Sequence, residues 1–239
     1  MVRDYTVADE GAWLRCRVLS FLGTPYFDDV LTAKPLVERG AEIVAELEGD
    51  LVGVLDLAVE GDLATIETIA VHPDHQHEGV GAEMLTEAIR RARALGATQI
   101  DAWTRDDPTA LAWYRRSGFD EQGHYLHVYA DSYVDPDEPG RAVTRQPGLN
   151  PIKMFLHGRI EDEARMRASF KRVHVCRRFV RRLDDEERHV LPTATDAANQ
   201  VAAFILGKAE SVEGRAPTRA GPFRPTTPVK IVVCRGTGA

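Results

Sequence analysis

Residues 69–82 read Ile69-Ala70-Val71-His72-Pro73-Asp74-His75-Gln76-His77-Glu78-Gly79-Val80-Gly81-Ala82. The stretch passes from an apolar, β-branched segment through Pro73 and two glycines into a pattern of helical period. Val80, Met84, Leu85, Ala88, Ile89, Ala92 and Leu95 then fall on one stripe, and Gly96 stands where a helix C-terminus favours glycine. A strand, a glycine turn and a long helix together make an anion site, because the first helical amides lack intrahelical partners and the helix dipole points at them. Gly79 and Gly81 allow close approach where a β-carbon would intrude. Seen alone, two glycines fit a plain strand-to-helix turn equally well.

On the N-terminal side, Val-, Ile- and Leu-rich runs punctuated by Glu48-Gly49-Asp50 and Glu60-Gly61-Asp62 predict three antiparallel strands over 42–48, 51–59 and 63–72. Before them come a short strand over 3–7 and a helix capped by Asp9, carrying Trp13, Leu14, Val18 and Leu19 and interrupted at Gly23-Thr24-Pro25. On the C-terminal side, a strand over 99–103 precedes Asp107 and Pro108, the cap and first-turn proline of a helix ending near Gly118. A strand over 124–130 and a late partner over 173–183 complete the domain. Between them lies an insertion at about 131–170, with a loop around residues 135–140 and a helix over 161–168. The expected organisation is one domain over 1–183 and a partly mobile C-terminal extension over 184–239, with a helix over 196–210, a Pro-rich part and an apolar run over 229–234.

The 239 residues suffice for one substantial core, and 44% hydrophobic with 28% charged residues is an ordinary globular composition. Thirty-seven acidic against 30 basic side chains give a net charge of -7, which repels a polyanion and argues against nucleic-acid binding. The N-terminus lacks an apolar secretory segment and no later run is long enough to cross a bilayer, so the expectation is a cytoplasmic protein without a membrane partner. Cys16, Cys176 and Cys234 are widely spaced, with no Cys-x-x-Cys pair or histidine at metal-ligand spacing; they read as reduced and structural, with no metal site.

The stretch over 69–82 resembles the central motif of the GNAT superfamily of N-acetyltransferases: Gln or Arg, two residues, Gly, any residue, Gly or Ala. Asp107, Ala110, Tyr114 and Gly118-Phe119 resemble a second family signature, on the helix after the next strand. The resemblance covers about residues 3–130; the late strand matches more loosely. It departs from the pattern at His77, where many members have glycine, and at Asp107, where many have asparagine. Asp107 also reads as a helix cap.

The resemblance implies an α/β fold: a GNAT-like mixed, mostly antiparallel twisted sheet flanked by helices. It implies acetyl-CoA as cosubstrate, its pyrophosphate on the backbone of Gln76, His77, Glu78, Gly79, Val80, Gly81 and Ala82, with Asp107 and Ala110 near the cofactor arm. The pantetheine would lie where the strand over 63–72 splays from the strand over 99–103, beside Ile69, Ala70 and Val71. An amine would attack the thioester directly, with the oxyanion held by a main-chain amide. Tyr114 is the implied acid for the departing thiolate. Glu67 is the base candidate, on the same strand face as Ile69 and Val71 by strict alternation; a solvated or ion-paired carboxylate is the equal alternative. His124 and His127 stand in reserve.

The implied partner is a small-molecule or peptide amine, and a homodimer is left open. The rival reading is a non-catalytic acyl-CoA-binding or sensory module; a longer acyl group is a further variant. Phe21, Tyr26 and Phe27 fit either an acceptor-pocket lip or core packing. Lys171, Arg172, Arg177, Arg178, Arg181 and Arg182 make the late strand basic, which reads first as a solvated face.

Overall fold

The computed structural model describes residues 1–144 and 147–183. The extension over 184–239, with its expected helix, apolar run and Cys234, lies outside the described residues.

Among the described residues, eight strands form one sheet: β1 (Val2–Asp4), β2 (Gly40–Leu47), β3 (Asp50–Glu60), β4 (Leu63–Val71), β5 (Gln99–Thr104), β6 (Asp120–Asp131), β7 (Lys153–Gly158) and β8 (Arg172–Arg182). Their spatial order is β1-β2-β3-β4-β5-β8-β6-β7. Every neighbouring pair is antiparallel except β4 and β5. The helices are α1 (Glu10–Phe21), α2 (Val80–Ala94), α3 (Pro108–Arg116), α4 (Glu138–Ala142) and α5 (Glu163–Ser169).

The apolar patterns explain the layers. In β2 and β3, Ile43, Leu55 and Leu57 join Met84, Leu85, Ala88, Ile89 and Ala92 of α2 in the main core, while Val44 and Val54 meet Trp13 and Cys16 of α1 on the opposite face. Burial of both faces accounts for runs that are apolar without alternation. A separate core of Leu126, Val128, Ala130, Phe170, Val173 and Val175 lies under the inserted segment. Two hairpin turns form where expected, with Glu48, Gly49 and Gly61 at positive φ. At Gly53 a β-carbon would lie 2.9 Å from the Met84 side chain, so glycine there lets α2 sit close to the sheet.

Several local expectations are corrected. β1 stops at Asp4, and Asp9 does not cap α1 with its side chain; its carboxylate turns back to accept from the Thr6 amide at 2.8 Å and pairs with Arg3. The insertion holds a strand and a short helix that composition did not predict. β7 pairs with β6 from Leu126 opposite Gly158 to Asp131 opposite Lys153, and α4 supplies Glu138, whose buried carboxylate accepts from the amides of Asp131 and Lys171. The helix expected over 161–168 begins as a single 3-10 turn, Ile160–Asp162, before α5.

Candidate functional site

The parallel ladder between β4 and β5 runs from Leu63 opposite Gln99 to Ile66 opposite Ala102 and stops there, although β4 continues to Val71 and β5 to Thr104. The two strands therefore diverge into a gap. A β-bulge marks the fork: on the β3 side Leu57 faces Ile66 and Asp56 faces Thr68, leaving Glu67 as the extra residue. The bulge resets the alternation. Ala64 and Ile66 before it and Ile69 and Val71 after it all pack on the α2 side, whereas Ala70 packs against α1. The inference that Glu67 shares a face with Ile69 and Val71 by strict alternation is thus corrected; Glu67 is an exposed bulge residue at the fork.

Below the gap the chain enters a 3-10 turn, Pro73–His75, and then α2. His77 (φ 67) and Gly79 (φ 88) both adopt the left-handed region. Among the described residues, no group accepts a hydrogen bond from the amides of His77, Glu78, Gly79, Val80 or Gly81. The turn is exposed, and no atom lies within 4 Å of where a Gly79 β-carbon would stand. The Gln76 side chain does not join this cradle: its Nε2 donates to the Val71 carbonyl at 3.2 Å, and Ser20 Oγ donates to the same oxygen at 2.8 Å. Asp107 caps α3, its Oδ1 accepting from Ala110 N at 2.8 Å.

Tyr114 is buried on α3, stacked on Phe179 with ring centres 5.2 Å apart and edge-on to Trp113 and Phe119. Burial pushes its phenol pKa well above the ordinary value, so the hydroxyl keeps its proton throughout the neutral range. The two reserve histidines lie in different surroundings. His124 is exposed, with Nε2 2.6 Å from Glu121 Oε1, an acid that Arg115 and Arg177 also use. His127 is buried, with Nδ1 accepting from Arg105 Nε at 3.0 Å and Nε2 donating to Tyr125 Oη at 2.9 Å; burial and the Arg105 charge push its pKa down to about 3. Burial also raises the Cys176 thiol to about 11, which keeps it protonated at neutral pH.

The basic late strand is largely ion-paired rather than solvated: Arg172 with Asp28, Arg177 with Glu121 and Arg178 with Asp101. The residues that follow α1 are tied to this half of the sheet. Tyr26 Oη accepts from Arg105 N at 2.8 Å, and the Pro25 carbonyl accepts from both Arg105 and Arg172. The guanidinium of Arg105 lies 4.1 Å from the Tyr26 ring centre and 5.4 Å from that of Tyr129, while that of Arg172 lies 3.8 Å from Tyr129 and 4.5 Å from Phe27. Sequence reading marked Tyr26 and Phe27 but missed Arg105 and Tyr129, which no periodicity or motif singles out.

With this geometry in view, residues 9–119 match the model of the Acetyltransferase (GNAT) family. Among curated proteins, the chain is 32% identical over 134 residues to a mycothiol acetyltransferase of Stackebrandtia nassauensis, covering 54% of this chain and 40% of that one. It is 29% identical over 127 residues to an amino-acid acetyltransferase of Azotobacter vinelandii, covering 51% of this chain and 28% of that one. The chain thus spans less than half the length of these relatives. Among solved structures, the ribosomal-protein-S18-alanine N-acetyltransferase from Escherichia coli aligns with a TM-score of 0.48 at 16% identity, covering 77% of this chain and 93% of that one. Among the described residues, no helix is long and apolar enough to cross a membrane.

Proposed function

We propose that the chain transfers an acetyl group from acetyl-CoA to a primary amine by direct attack within a ternary complex. The observation that carries this reading is the pairing of two features in one place: the gap that opens after Ile66 and Ala102, and the left-handed turn whose five amides are unengaged. The turn offers the diphosphate a row of N–H donors at the positive end of α2. The gap offers an extended arm the backbone of β4 beyond its bulge. Attack by the amine turns the thioester carbonyl into an oxyanion, which a fixed main-chain donor stabilises more than it does the ground state. Collapse expels the thiolate, and Tyr114, protonated and rigidly packed, donates its proton to sulfur. Glu67, exposed at the fork, takes the proton of the incoming ammonium directly or through water.

The family match and the names of the relatives support acyl transfer, and the relatives named for mycothiol and amino acids support a small-molecule acceptor. The test is calorimetric titration with acetyl-CoA followed by a thiol-release assay on a panel of amines, with Gly79 and Gly81 both replaced by bulky residues as control. Binding lost in the control together with amine-dependent thiol release supports the reading. Binding without release from any amine favours the non-catalytic acyl-CoA-binding module, and absence of binding refutes both.

A further inference from the structure

Arg105 follows β5 directly, three residues beyond the last pairing of β5 with β4, so it stands at the open end of the gap. The residue is 6% exposed. A buried guanidinium ordinarily has a carboxylate beside it, because removal from water costs more than neutral hydrogen bonds return. The neighbouring acids are all committed elsewhere. Asp28 serves Arg172, Asp29 serves Arg17, and Asp106 pairs with His174 at 2.8 Å and Arg167 at 3.5 Å. Among the described residues, no carboxylate lies within 4.0 Å of the Arg105 guanidinium. Its partners are neutral: His127 Nδ1, the Pro25 carbonyl, and the ring faces of Tyr26 and Tyr129.

These contacts hold the side chain rigid; the Asp28 carboxylate, bound to Arg172, feels the Arg105 charge without touching it. The Tyr26 and Tyr129 rings partly offset desolvation, and the Arg105 amide bond to Tyr26 Oη fixes the wall in which the guanidinium sits. Other residues feel the charge too: it contributes to the depressed pKa of His127 and favours the ionised forms of Tyr129 and Cys176. A preorganised cation with no carboxylate in contact, beside the gap where the acceptor must enter, selects for a ligand that brings the negative charge. A carboxylate matches the planar fork of a guanidinium, whereas the phosphates of the cosubstrate have their own cradle at the α2 turn.

We propose that Arg105 is the anion-binding residue of the acceptor site and that the acceptor is a small amine carrying a carboxylate. The proposal rests on the acetyl-transfer reading above and names the substrate class of that site. Its test compares α-amino acids with their amides, with kcat/KM expressed per free amine, in the wild-type chain and in Arg105→Gln and Arg105→Lys. Wild type is expected to prefer the acids at least tenfold. Arg105→Gln should bring the ratio to about one while leaving acetyl-CoA binding unchanged, and Arg105→Lys should fall between. Equal use of acid and amide by wild type overturns the proposal, as does a preference that survives in Arg105→Gln.

If no amine releases thiol, the acetyl-transfer reading fails, and thermal melting decides the anion site by itself. A rise in Tm with the acids that is lost in Arg105→Gln keeps the site; no rise in wild type removes it as well.

Discussion

Tyr114 is held by aromatic packing on three sides, and its hydroxyl contributes little to that packing. Replacement by Phe keeps the stack and removes only the proton. If Tyr114 is the acid for the thiolate, Tyr114→Phe lowers kcat by about 100-fold with acetyl-CoA affinity unchanged, within the usual range for a lost general acid; steady-state kinetics beside calorimetry separate the two. Gly79 makes the complementary case. At φ 88 with open space around its missing β-carbon, an alanine meets no atom, so its cost is conformational. Gly79→Ala should destabilise the fold by about 1 kcal/mol, measured by urea unfolding, and weaken acetyl-CoA binding by reshaping the row of amides. Gly79, Gly81 and Tyr114 stand out in the sequence because their spacing resembles a family pattern. Arg105 does not, since the lack of a carboxylate in contact exists only in three dimensions.

The segment joining α1 to β2 has no regular structure from Thr24 onward, yet ion pairs tether it to the sheet. Lys34 buries its ammonium against the rings of Tyr5 and Trp13 and pairs with Glu42 of β2 and Asp56 of β3, the latter at 3.1 Å. Burial outweighs the attraction of Lys34 and pushes the Asp56 carboxyl up to about 6. A raised acid pKa means that the folded state holds this proton more tightly than the unfolded state. The stabilisation is therefore complete below about pH 4 and is lost as the pH rises through about 6, a difference of roughly 3 kcal/mol. Urea midpoints at pH 4.5 and 7 for wild type and Asp56→Asn test this; the substitution should flatten that component of the pH dependence, and identical pH slopes would refute it. At this scale the strands, hairpins, α2 and α3 were readable from periodicity and turn residues. The bulge at Glu67 was not, because one inserted residue leaves no mark in an apolar run, and β7 was missed because its outward positions, Lys153, Phe155 and His157, mix charge with aromatics.

Across the whole sheet, the last strand of the described residues sits near the middle. β8 separates β5 from β6 and pairs with both, so one segment joins the half that carries α1 and α2 to the half that carries the inserted hairpin. Phe179 is its keystone, fully buried and stacked on Tyr114. Phe179→Ala should cost about 3–5 kcal/mol in urea unfolding, the range for truncating a core phenylalanine, and should reduce turnover more than acetyl-CoA binding because it loosens Tyr114. Native-state hydrogen exchange should place β3, β4 and β5 in the slowest class and the outer strand β7 in a faster one; a uniformly protected sheet would refute that ordering. The fold class was legible as a whole, but the strand order was not, since it depends on contacts between distant parts of the chain.

The central place of β8 also bears on how a cell makes this protein. A ribosome delivers β1 to β5 and the whole of β6 before it delivers the strand that unites them. Until Leu183 has left the exit tunnel, β5 and β6 each present an open hydrogen-bonding edge backed by apolar side chains, the kind of surface that recruits a neighbouring nascent chain. Synthesis must therefore carry an unfinished sheet through most of its length, and its yield should depend more on chaperone supply and translation speed than the finished molecule's stability alone would predict.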